Sequence, residues 1–374
     1  MGFVKRNGAI MLTMGAFLLA LISLLVGSLQ NGGDGDISFD PSYFTVEAVE
    51  IPTLTNGTPY GQLSVAYIEA LNNKFYNRFS FSYQEMNSAA WIVNALLSMG
   101  YTWDDMAVQE YSVASGLTNL PDYWAFTWYV MQFLDSSPFT NFGLRDSLLS
   151  QNIVLTVPGQ SDETIIVGAH YDTVMFPGAS DNASGTALLL ESAQRMREQD
   201  NYYTIVYVFF GAEEVGLFGS FYYANALSQV EHDNILFMVN ADVLIEGPDL
   251  FFKAGYDRGG EPGTNHITEA WDQIAEEMYA THGLQLISVP EGVFGPSDHL
   301  AFLPWGHTAM FLSGLYASDE WEKDSFLDSF FDFARVLHTP QDEFGYIETR
   351  WPGKIDENMR AFSMFLEEIL LAEY

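Results

Sequence analysis

The stretch TIIVGAHYDTVMFPGASDNASGTALLLESAQRMRE, Thr164 to Glu198, decides how the rest of the chain is read. It opens on the apolar run TIIVGA and passes through a histidine, two aspartates and two glycine-bearing turns. It ends in GTALLLESAQRMRE. The first run reads as a buried strand and the last as a helix. Imidazole and carboxylate groups at the end of a buried strand need something to offset their desolvation. A bound metal is the compensation that suits His170, Asp172 and Asp181.

Working outward, NIVLTV (152–157) lies upstream across the turn PGQSDE and reads as a second strand. TIVYVFF (204–210), NILFMV (234–239) and TAMFL (308–312) read as further strands. Helices are expected at YQEMNSAAWIVNALLSMG, GSFYYANAL, ITEAWDQIAEEMYATHG and IDENMRAFSMFLEEILLAEY. In the first of these, Met86, Ala89, Ala90, Val93 and Leu97 share a face, and Gly100 stands where a C-terminal cap belongs. Buried strands alternating with helices predict an α/β fold, a three-layer sandwich whose mixed, mostly parallel central sheet is flanked by helices.

In such sheets the site lies beyond the carboxyl ends of the strands. His170 and Asp172 follow TIIVGA, Glu213 and Glu214 follow TIVYVFFGA, and Asp242 follows NILFMVNA. Surface solvation explains one such coincidence but not three in register.

Composition sets the outer bounds. The 374 residues suffice for one large domain or two ordinary ones, and 48% hydrophobic content supports a sizeable core. Forty-nine acidic against 14 basic residues give a net charge of −35. That field repels nucleic acid and anionic lipid, so nucleic acid is not expected as a partner. Most of these carboxylates read as solvated surface, whose repulsion salt would screen. There is no cysteine. Disulfides and thiolate sites are excluded, and any metal must bind through His, Asp and Glu.

Lys5 and Arg6 precede an uncharged stretch from Ala9 to Leu29. It is long for a signal-peptide core and just long enough to span a bilayer. Residues 1–29 are expected to be a cleaved signal or an N-terminal membrane anchor, with the positive end cytoplasmic and the domain exported. The domain would be secreted, or held at the outer face of the cytoplasmic membrane by that segment. Residues 30–58 read as a linker or extension, and 59–374 as the folded domain.

AHYD, GASDNASG, AEEVGLFGS, NAD, SDH and HTPQD occur in that order. This set resembles the zinc-dependent exopeptidases of the bacterial leucyl aminopeptidase type. That family also includes glutamate carboxypeptidases, glutaminyl cyclases and the transferrin receptor ectodomain. The resemblance covers roughly residue 60 to the end. It implies two divalent metal ions. Zinc suits the N/O ligands best, though cobalt or manganese would fit. His170, Asp181 and Asp242 would hold one ion, and Asp181, Glu214 and His338 the other, with Asp181 bridging. Glu213 would be the general base. Asp172 would sit behind His170 and accept its second ring N–H. Asp342 would support the His338 ring.

The resemblance also implies a cis peptide at Asp181–Asn182. Gly178 and Gly185 would free the backbone on either side of the bridging aspartate, and Gly185 would let the next helix start close to the sheet. Pocket candidates are His299, Phe294 and Tyr256. Phe294 stands where several relatives carry an oxyanion-stabilising tyrosine, and Tyr256 is a candidate substitute. Asn182-Ala183-Ser184 matches a glycosylation acceptor but overlaps the site, so it is discounted. The aromatic segment PDYWAFTWYVMQF (121–133) reads as core and pocket wall, or as a substrate-lining cap.

The resulting expectation is an exported metallo-aminopeptidase acting on the N-termini of peptides or proteins. Alternatives on the same fold are a carboxypeptidase or dipeptidase, with Lys253 or Arg258 gripping a carboxylate, a glutaminyl cyclase, or a catalytically inactive receptor-like domain. Side-chain preference and oligomeric state stay open.

Overall fold

The computed structural model describes residues 49–112, 144–145, 148–254, 265–289, 297–315 and 336–374. The expectations for residues 1–29, for 121–133 and for Tyr256, Arg258 and Phe294 lie outside the described residues, as does the Lys253 side chain.

Eight strands are present among the described residues. They are β1 (Met106–Ser112), β2 (Leu149–Val157), β3 (Ser161–His170), β4 (Tyr203–Phe210), β5 (Ile235–Ala241), β6 (Asp249–Ala254), β7 (Leu286–Val289) and β8 (Ala309–Leu315). They form one sheet in the order β1-β2-β4-β3-β5-β8-β6-β7. The central pairs β4/β3, β3/β5 and β5/β8 are parallel, while β1/β2, β2/β4 and β6/β8 are antiparallel. The helices are α1 (Gln62–Lys74), α2 (Tyr83–Ser98), α3 (Gly185–Met196), α4 (Phe218–Ala226), α5 (Gln229–Asn234), α6 (His266–His282), α7 (Phe344–Arg350) and α8 (Lys354–Leu371).

The expected three layers can be read along the central strands. On β3, Ile165, Val167 and Ala169 join the core cluster shared with α1, α2, α3, α6 and α8. Ile166 faces the opposite cluster, which holds Tyr223 and Ala224 of α4 and Phe302. On β4, Ile205, Tyr207 and Phe209 face one way, and Val208 and Phe210 the other. Both faces are covered, which is why these strands appear as continuous apolar runs rather than alternating ones. Each fully buried Leu, Ile or Phe contributes about 1.5–3 kcal/mol of transfer free energy, and that gain must support the polar groups at the strand ends.

β2 and β3 are joined by a turn as expected, but they are not neighbours, because β4 lies between them and pairs with both. The crossover through α3 returns the chain parallel to β3, and β4 takes the vacant edge. The buried side of α2 is also rotated from the expected face. Ala89 and Val93 are buried as expected, but Met86, Ala90 and Leu97 are only half-buried, while Glu85, Ile92 and Leu96 are buried. Apolar periodicity misplaced this face because a buried carboxylate, Glu85, lies on it in the first turn. Finally, Val49, Ile51 and Leu54 pack against the main core, so the packed unit begins within the stretch read as an extension.

Candidate functional site

β4, β3 and β5 lie side by side and run parallel, so the turns after all three emerge at one edge. His170 is paired with Phe210, and Gly168 with Asn240. That register sets His170, the Glu213–Glu214 turn and Asp242 next to one another. Asp181 reaches the same place from the loop before α3. There Gly178 has φ 59°, a left-handed conformation suited to glycine, and the Asp181–Asn182 peptide is cis as expected. Gly185 has an ordinary helical φ, so freedom is not what it supplies. A Cβ there would strike Ala241 O and the Asn182 side chain. The glycine is needed for the close approach of α3 to β5.

His170 Nε2 stands 3.1 Å from Asp181 Oδ1 and 3.2 Å from Asp242 Oδ1. His338 Nε2 stands 3.0 Å from Asp181 Oδ2 and 3.1 Å from Glu214 Oε2. The two oxygens of Asp181 thus face two different imidazoles. Glu213 is further out, its Oε2 4.0 Å from His170 Nε2. Donor atoms of His170, Glu213 and Asp242 lie within 4.8 Å of one another, as do those of His170, Asp181 and Glu214. Four donors around a zinc ion at about 2.0–2.1 Å stand about 3.3 Å apart in a tetrahedron. The 3.0–3.2 Å spacings of Asp181, Asp242 and Glu214 from the two imidazoles match that edge, so these residues can coordinate divalent metal.

Further side chains fix this cluster through backbone groups. Asp172 is fully buried. Its Oδ1 is 3.4 Å from His170 Nδ1 and accepts from Glu213 N at 3.0 Å. Its Oδ2 accepts from Ser80 Oγ at 2.6 Å and from Glu214 N at 3.3 Å. It therefore sits behind His170 and also holds the turn bearing both glutamates. The same ring nitrogen of His170 is closer to the Asp172 backbone carbonyl, at 3.2 Å. Asp342 was expected beneath the His338 ring. Instead its carboxylate accepts from Ser180 N at 2.6 Å and Asp181 N at 3.0 Å, so it supports the bridging aspartate. Ser297 Oγ donates to Asp242 Oδ2 at 2.7 Å and accepts from Asn240 Nδ2 at 2.8 Å.

The electrostatics are those of crowded acid. Burial is the largest influence on Glu213. The charge of His170 opposes it, Asp298, Glu214 and Asp242 add to it, and the carboxyl lies well above its usual range. Burial and then Asp181 push Glu214 to about 7, against the pull of His338. Burial also works against ionised Asp181, yet hydrogen bonds from His170 and His338 hold it below the usual range. Partial loss of solvent works against charged His338, but its bonds to Asp181 and Glu214 raise it to about 11. Such a cluster calls for more positive charge than two imidazoles give, which divalent ions would supply.

His299 is buried, with its ring 5.1 Å from that of Phe311. Asn182 is fully buried, donating to Ala241 O and accepting from Gly185 N, so its glycosylation motif is closed to modification. The sequence reading singled out neither Ser297 nor the fully buried Asp298 beside it. Their signal was present, since both belong to the SDH triplet.

Residues 152–363 match peptidase family M28, and the chain belongs to that family. Aminopeptidase YwaD of Bacillus subtilis is 31% identical over 187 residues, which cover 50% of this chain and 37% of that protein. A probable leucine aminopeptidase of Trichophyton verrucosum is 37% identical over 168 residues, covering 40% of this chain and 42% of the relative. The matches thus span less than half the length of these two curated relatives. Among solved structures, a zinc aminopeptidase from Bacillus subtilis aligns with TM-score 0.59 at 18% identity, over 84% of this chain and 96% of the other. A glutaminyl cyclase from Tannerella forsythia aligns equally well, with TM-score 0.59 at 18% identity over 85% and 100%. At that identity the likeness shows the fold, and the fold is shared by both activities.

Proposed function

We propose that the chain is an exported metallo-aminopeptidase that removes N-terminal residues from peptides, with Glu213 as its general base. The observation that carries this is the separation of roles within the cluster. Asp181, Glu214 and Asp242 each lie within 3.2 Å of an imidazole, whereas Glu213 stands 4.0 Å off and is left for proton transfer.

His170, Asp181 and Asp242 would hold one divalent ion, and Asp181, Glu214 and His338 the second, with zinc best suited to these donors. When bound, such ions act as Lewis acids on the scissile carbonyl and acidify water at the site. Glu213 takes the proton of the attacking water and delivers it to the departing amine as the C–N bond breaks. Asp172 keeps Glu213 and Glu214 pointing to their separate tasks by holding both backbone amides. The net charge of −35 favours a cationic substrate N-terminus. Buried Arg78 spends its donors on the carbonyls of Phe75, Tyr171, Pro177 and Gly178. Export rests on Lys5, Arg6 and the apolar run that follows them.

The test is hydrolysis of aminoacyl p-nitroanilides with free and blocked amino groups, with and without chelator. Chelator-sensitive cleavage of free-amine substrates alone supports the reading. Cyclisation of N-terminal glutamine without hydrolysis would replace it with the cyclase.

A further inference from the structure

Helix α2 begins with a sequence that should close on itself. Ser82 is its N-cap, accepting from Glu85 N at 3.1 Å. A glutamate three residues after a serine cap ordinarily returns its side chain to the cap's own N–H. Glu85 goes elsewhere. Its Oε2 accepts from Phe81 N at 2.6 Å. Its Oε1 leaves the helix and accepts from Ser150 Oγ at 2.7 Å and Ala212 N at 2.9 Å. The residue is fully buried. Removing a carboxylate from water is expensive even when it is well bonded, and helix capping alone can be done from the surface.

The destination explains the burial. Ala212 immediately precedes Glu213 and has φ 49°, a left-handed conformation uncommon for a residue with a Cβ. Four consecutive N–H groups in this turn end on side-chain oxygens. Gly211 N meets Asn152 Oδ1 at 3.2 Å, and Ala212 N meets Glu85 Oε1 at 2.9 Å. Glu213 N and Glu214 N meet Asp172 Oδ1 and Oδ2 at 3.0 and 3.3 Å. Tyr111 OH donates to Gly211 O at 2.8 Å. Side chains from β1, β2, α2 and the loop after β3 thus replace the backbone partners that a ladder or helix would provide. Ser80 Oγ bonds Asp172 while Phe81 N bonds Glu85, so the segment before α2 ties the two carboxylates together.

We propose that Glu85 is a positioning residue for Glu213 and Glu214, fixing Ala212 in its left-handed conformation so that the two neighbouring glutamates diverge. The proposal rests on the functional reading above only for the roles of those glutamates.

The test compares Glu85→Gln with Ser82→Ala in the full chain. The serine change weakens the same helix start without touching the turn. Glu85→Gln should speed hydrogen exchange of the Ala212–Glu214 amides about tenfold beyond Ser82→Ala. It should lower kcat on a free-amine anilide with KM nearly unchanged, and alter the visible spectrum of the cobalt-loaded protein. Equal exchange, kcat and cobalt spectra in the two variants would assign Glu85 to the helix alone and overturn the proposal. If Glu85→Gln does not fold, the wild type decides. Its Ala212–Glu214 amides must stay protected after chelation, and protection that vanishes with the metal overturns the proposal. A wild type that binds no metal and cleaves no substrate, yet keeps these amides protected, would remove the functional reading and leave the clamp standing.

Discussion

The two histidines of the cluster occupy opposite environments. The His170 side chain is 1% exposed, and its backbone carbonyl accepts from Thr186 Oγ1. Its ring is backed by Asp172, which is itself bonded on all sides. The His338 side chain is 51% exposed and sits on a loop with φ 56°. The adjacent Leu337 N donates to the buried Glu246 at 3.2 Å. One half of the site is built into the end of the sheet, while the other is a loop laid over it. On the proposed ligand assignment, the difference teaches that two cation positions would be unequal. The inner one would be part of the fold, and the outer one open to solvent and to exchange.

Several experiments would break or sharpen that contrast. Glu213→Gln should have the largest effect, lowering kcat about a thousandfold, the scale of a lost general base. It should leave metal content intact, and metal analysis beside the assay separates this from a lost ligand. Asp342→Asn acts on the bridge through the Ser180 and Asp181 amides. It should weaken metal affinity about 10–100-fold, as changes behind a ligand do, measured by competition with a chromophoric chelator. A variant with unchanged affinity would show that the bridging aspartate needs no such support.

The metal-free protein offers a subtler check. Burial is the main cause that raises Asp298 to about 7, with Asp242 and Asp172 adding to it and His170 and Ser220 opposing. The folded chain therefore holds a proton that the unfolded chain releases near pH 4. That stabilisation is complete below the unfolded value and is lost as pH rises toward about 7. The melting temperature of the chelated protein should fall across this window, and bound zinc should flatten the slope. Added salt should have the smallest and least local effect. A chain of net charge −35 should melt at a higher temperature in concentrated KCl through screening of surface repulsion. The inner half of the site, away from bulk solvent, should contribute little to that change.

The five adjacent strands β2, β4, β3, β5 and β8, and the seven residues gathered near their ends, were legible because they follow patterns, whereas β1, β6 and β7 were not read. Apolar runs mark strands buried on both faces, and His170, Glu213, Glu214 and Asp242 follow strand ends. Asp181 and His338 were found through motif order, since nothing in their spacing shows that distant loops converge. Glu85 and the true partners of Asp342 were not legible. A carboxylate that bonds backbone amides leaves no periodic signature, because the amides it serves are present at every position. Buried Glu85 also misled the helical reading, since a charged residue on the inward face of α2 breaks the apolar count. The place of β4 between β2 and β3 was hidden for a related reason. Strand order depends on the path of the crossover, and local sequence does not record it.

The most direct measurement is the zinc stoichiometry of the intact protein by native mass spectrometry, for wild type, His338→Ala and His170→Ala. Two ions in the wild type, one in His338→Ala and none in His170→Ala would match a built-in inner position and an exchangeable outer one. A wild type that holds a single ion, or a His338→Ala variant that keeps two, would contradict it.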